Sequence, residues 1–98
     1  MSEKLSFDET KAKHLETLKT YVPIVARVHG PTHPEFYKVR DIYDQMVLKM
    51  SAPEQSDLTS DFASLREITS NYTIPGDVCE SYAAVYNMLA DLDKAYSA

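Results

Sequence analysis

The chain has 98 residues, enough for one domain with a thin core, and 15 acidic against 10 basic side chains give a formal charge of -5. That balance opposes binding to the phosphates of nucleic acid or to an anionic membrane surface. The one cysteine, Cys79, leaves no internal disulfide, and no apolar run near the N-terminus has the form of a signal peptide or a membrane span, so a soluble cytoplasmic protein is expected.

Two glycines and no stretch alternating apolar with polar residues leave little material for sheet, while a 3.6-residue apolar period recurs throughout. After a polar start expected to fray over residues 1–5, Ser6-Phe7-Asp8-Glu9 has capping-box spacing and opens a first helix to about His29. Leu15, Leu18, Val22 and Val25 make its stripe. The pattern continues past Pro23, so a kink is predicted there and not a stop. Gly30 is expected to end the helix in the left-handed conformation that costs glycine least. Thr32-His33-Pro34-Glu35 is a second capping box, so the next helix must start at once and run antiparallel.

That second helix spans about Pro34 to Met50 and carries Phe36, Val39, Tyr43, Met46 and Met50, with Ile42 and Val47 widening the stripe. Residues 51–57 read as a loop or as the first turn of a third helix, with Ser51 and Glu54 in capping-box spacing. Leu58, Phe62, Leu65 and Ile68 or Thr69 form a third stripe ending near Asn71, before the turn formers of Tyr72 to Asp77. Val78, Tyr82, Val85, Leu89, Leu92 and Tyr96 hold the last seam. Four amphipathic helices with short connections pack best up-down-up-down, so residues 1–98 are expected to form a single all-α domain, an antiparallel four-helix bundle.

Among chemistry-bearing residues, His29, His33 and Glu35 could form a three-ligand surface metal site, although Gly30 and Pro31 keep the two histidines off a common helix face. The competing reading is helix-end chemistry, with His29 closing the first helix and His33 preceding a cap; it is preferred. Cys79 stands in the first turn of the last helix, where a thiol can become reactive, but a small buried packing residue is the preferred reading, and no base for it is identifiable. The seven tyrosines are expected in core and rim positions. No phosphate-binding glycine loop, zinc-type cysteine pair or Ser/His/Asp set is present.

Two stretches resemble the hemerythrin-like di-iron domain of the iron-sulfur cluster repair proteins: Tyr21 to Tyr43, with its Val-His-Gly-x-x-His-Pro-Glu core, and Leu65 to Pro75 continuing through Cys79, Tyr82, Tyr86, Leu89 and Leu92. The resemblance implies a hemerythrin-like bundle whose two irons would be held by His and Glu side chains at the end opposite these turns. In this sequence the family's first ligand histidine falls at about Asp8, the next near Pro53 and the third near Gln55, and its last ligands fall just after Ser97-Ala98. Asp8, Glu9, Glu54, Asp57 and Asp61 gather at that end, where solvated caps are the better reading. The resemblance thus implies the fold without the activity. The expectation is a non-enzymatic bundle, without cofactor, that acts by protein-protein contact with a partner or as a homodimer through Met46, Val47, Leu48 and Met50. The alternative is an iron-binding repair or stress-response protein.

Overall fold

The computed structural model describes residues 6–51 and 57–97, so the expected frayed start and the Ser51/Glu54 pairing lie outside the described residues. Four helices follow in order: α1 (Phe7–His29), α2 (Glu35–Ser51), α3 (Thr59–Thr69) and α4 (Glu80–Ser97). The first capping box forms as its sequence requires. The Glu9 N–H donates to the Ser6 hydroxyl at 3.1 Å, and the Ser6 N–H donates to the Glu9 carboxylate at 2.9 Å. α1 then runs unbroken through Pro23, whose ring is exposed; the partner it cannot supply is the carbonyl of exposed Lys19, which water reaches.

The reversal after α1 differs from expectation in two ways. Gly30 keeps a right-handed helical conformation (φ -52, ψ -42). A glycine stands there because a Cβ would run into the Tyr37 ring and the Ala26 carbonyl, so the requirement is for close approach and not for a left-handed turn. The second capping box does not form: the Thr32 hydroxyl donates back to the His29 carbonyl at 3.2 Å, and the Glu35 carboxylate turns to His33. A short side chain near a helix end can satisfy either an upstream carbonyl or a downstream N–H, and here the upstream carbonyl wins.

α1 packs on α4 and α2, and α2 on α3, which is the antiparallel up-down-up-down arrangement of an all-α four-helix bundle. Leu18, Val22 and Val25 from α1 meet Phe36, Val39 and Met46 from α2, Phe62 and Leu65 from α3, and Val85, Leu89 and Leu92 from α4. Leu58, Tyr82 and Tyr86 are also fully or almost fully buried, whereas Leu15 and Val78, expected inside, are half-buried at the margin. Val78 lies ahead of α4, which starts only at Glu80, so it does not follow the helical period of the seam.

α3 and α4 approach less closely than the other neighbours, and a polar tie joins them. Asp93 is 4% exposed and accepts from Arg66 Nη1 at 2.8 and 3.0 Å and from the Tyr72 hydroxyl at 2.7 Å. The same Tyr72 ends a run of three left-handed residues, Ser70, Asn71 and Tyr72 (φ 52, 59 and 62). Each costs a non-glycine residue roughly 1–2 kcal/mol. Partners offset that cost: the Ser70 and Asn71 N–H groups cap the last carbonyls of α3, and the Tyr72 N–H donates to the Thr69 hydroxyl at 2.8 Å.

Leu89 is fully buried at the centre of the core. Leu89→Ala is expected to lower the unfolding free energy by about 2–5 kcal/mol in urea titration, with a loss below roughly 0.5 kcal/mol incompatible with that position.

Candidate functional site at the turn end

The end of α1, the reversal to α2, the end of α3 and the start of α4 meet at one end of the bundle. Tyr82 is the floor of this end. Its ring is 0% exposed and receives His29 edge-on at 5.5 Å and His33 at 5.6 Å between centroids. The Tyr82 and Tyr86 hydroxyls lie 3.0 Å apart, sharing one buried hydrogen bond, and both rings pack on Phe36.

The two histidines diverge above this floor. His33 sits between two carboxylates, with Nδ1 3.1 Å from Glu35 and Nε2 3.1 Å from Asp77, so it clips the start of α2 to the turn before α4. Donation to both at once needs a proton on both ring nitrogens. His29 turns away from that group and places Nε2 3.0 Å from Cys79 Sγ. The structure therefore does not bring His29, His33 and Glu35 to one point. Among the described residues no group of three His, Cys, Asp or Glu side chains is arranged to hold a metal ion.

Cys79 differs from its preferred sequence reading. It is exposed and not packed in the core, and it has a base beside it in His29. The long-range partners of the two histidines could not be read from local sequence: Asp77 is 44 residues from His33 and Cys79 is 50 from His29. The signal that could have found them is topological, since the end of a first helix and the start of a fourth share one end of an up-down-up-down bundle. Beside this cluster lies an open hollow of about 310 Å³ lined by Glu35, Ile68, Thr69, Thr73, Pro75 and Tyr86.

The opposite end, where the resemblance places iron, is closed by aromatic rings. Phe7 packs edge-on against Phe62 and Tyr96 at 6.3 and 5.2 Å, and Phe62 lies 5.2 Å from Tyr96. The Tyr96 hydroxyl accepts from the Leu58 N–H at 2.8 Å and donates to Asp57 at 3.2 Å. Asp57 also accepts from the Thr59 N–H, and hydrogen bonding by the side chain and backbone of Thr59, with a smaller contribution from Tyr96, holds its carboxyl below the usual range. Asp61 is bound by Lys49 at 2.7 Å, while Asp8 is exposed beside Lys11. Pro53 and Gln55 lie outside the described residues. The residues described at this end do not fit a di-iron centre, which needs several inward-facing His and carboxylate donors around a shared space.

On α2, Met46 is 0% exposed and belongs to the core, so it cannot be a surface interface residue as expected. Val47 and Met50 are half-buried against the bundle, and Leu48 is 74% exposed. The second helix spreads its apolar residues widely because it serves two neighbours, α1 and α3. Only Leu48 remains in excess. No described helix is long and apolar enough to cross a membrane.

Fold and turn ends together define an all-α up-down-up-down four-helix bundle without a recognisable ligand set among the described residues. The chain is homologous to the iron-sulfur cluster repair protein ScdA. It is 28% identical to that of Staphylococcus haemolyticus over 121 positions covering 90% of this chain, and 22% identical to that of Staphylococcus epidermidis over 122 positions covering 91%. The chain spans about half the length, 54%, of the curated relatives it matches. Ninety per cent of 98 residues is about 88, so roughly 33 of the 121 aligned positions are filled by the relative alone. That difference lies inside the matched region. No family model matches the chain, and no solved structure matches it.

Buried phenols give this bundle a distinct alkaline limit. Burial, with a contribution from Asp44, pushes Tyr43 up to about 12. Burial, helped by Glu35, also raises Tyr82 and Tyr86, and burial and the hydrogen bond to Asp93 raise Tyr72. A phenol raised in the folded state keeps its proton where the unfolded chain has lost it. The resulting stability is full below a pH of about 10 and falls as pH rises through the folded value. Melting temperature is expected to drop above pH about 10, and Tyr43→Phe should flatten that part of the drop between about 10 and 12.

Proposed function

We propose that this chain is a non-enzymatic helical-bundle protein, related to the iron-sulfur cluster repair proteins, that works in the cytoplasm by contact with a protein partner or a second copy of itself. The observation carrying this reading is the aromatic cluster at the end where the resemblance expects iron, with Phe7, Phe62 and Tyr96 packed on one another and Asp57 and Asp61 bound to neighbours. A carboxylate already engaged with Lys49 or with Tyr96 and Thr59 would have to surrender those partners to ligate a metal, and carboxylates alone hold iron poorly against water. The negative charge argues against nucleic acid and anionic membrane as partners.

The second reading is an iron-binding repair protein of the kind the name of the ScdA relatives states, and the relationship itself favours it. Metal content separates the two. Protein purified without chelators, then titrated anaerobically with ferrous iron and exposed to air, is expected to hold no stoichiometric iron and to develop no oxo-bridged absorption; about two irons per chain would establish the second reading instead.

For self-association, Leu48 is the side chain on α2 able to face a second copy. Two-fold pairing is the commonest closed arrangement. Sedimentation over a range of concentrations is expected to show a dimer for the native chain and a folded monomer for Leu48→Glu. A native chain that stays monomeric at tens of micromolar removes the homodimer and leaves a different protein as the partner.

A further inference from the structure

The last turn of α1 and the start of α4 bring a nucleophile and a base together from positions 50 residues apart, with Cys79 Sγ 3.0 Å from His29 Nε2. Both groups are held in place. The His29 ring stands perpendicular to the face of buried Tyr82, at 89°, and the Cys79 carbonyl accepts the N–H of Ala83 in the first turn of α4 at 3.2 Å. Cys79 thus occupies the cap position of α4. The thiol is exposed, so a small reagent can reach it. Protein-protein contact and the fold's stability make no use of an accessible thiol with its own base.

We propose that Cys79 and His29 form an oxidant-sensitive modification site, at which a hydroperoxide converts the thiol to a sulfenic acid that a low-molecular-weight thiol then caps. His29 Nε2 takes the thiol proton, and the thiolate electron pair attacks a peroxide oxygen. The S–O bond forms as the O–O bond breaks. The departing hydroxide recovers the proton from the imidazolium and leaves as water; sulfur has given up two electrons and the peroxide has accepted them. Cys79 is the one cysteine of the 98 residues, so the second sulfur must come from another molecule. The thiolate of that molecule attacks Sγ, the S–S bond forms, and the sulfenic oxygen leaves as water with the proton the attacking thiol released.

The test uses the intact chain and hydrogen peroxide, with sulfenic acid trapped by a cyclic dione and counted by mass spectrometry. Two references are needed: a peptide of residues 76–84, which holds the same cysteine without His29, and the variant His29→Gln. The native chain is expected to react about tenfold faster than either, the size of effect a neighbouring base confers. A native rate equal to that of the peptide overturns the proposal outright. A His29→Gln variant that keeps native helicity and reacts as fast as the native chain overturns it as well. Should that variant fail to fold, the comparison with the peptide decides by itself.

Discussion

The buried carboxylate of Asp93 is the constraint on which the shape of this bundle rests. α3 has only 11 residues, about three turns, and meets α4 less closely than α1 does. Apolar burial alone gives that seam little area. Asp93 joins Arg66 on α3, Tyr72 in the following turn and its own helix, so one side chain fixes the lateral position of α3 and the path of the chain out of it. A carboxylate with this little exposure is tolerable only while its partners remain, because an uncompensated charge in the same place would be strongly destabilising. The dependence runs in both directions. The left-handed run Ser70 to Tyr72 is held by the partners its own residues find, the Tyr72 hydroxyl on Asp93 among them.

The two ends of the bundle have diverged in character for reasons that can be stated residue by residue. At one end Phe7, Phe62 and Tyr96 interlock as rings, and the polar atoms there complete one another. Such an end is a closure. At the other, His29 and His33 stand on Tyr82 and each reaches a group from the segment leading into α4. Histidine, carboxylate and thiol there are exposed or half-buried, and that is where the chemistry of the described chain is concentrated. The homologous ScdA proteins have about 33 further positions inside the matched region.

What the sequence determined by itself was the number, order and approximate limits of the helices, and most of the core. Ser6 and Glu9 announce α1 because a capping box is a local interaction over three residues, and the steps of three and four from Phe36 to Met46 or from Tyr82 to Leu92 place buried residues because helical geometry alone puts them on one face. Tertiary structure decided the rest. Gly30 is needed for the Tyr37 ring that lies against it, Thr32 and Glu35 choose other partners than each other, and Cys79 emerges at the surface beside His29. In each case the local sequence is compatible with more than one arrangement, and the packing around the residue selected one. Periodicity specifies which face of a helix is apolar, but it carries no information about the register between helices, and the pairing of His29 with Cys79 is set by that register.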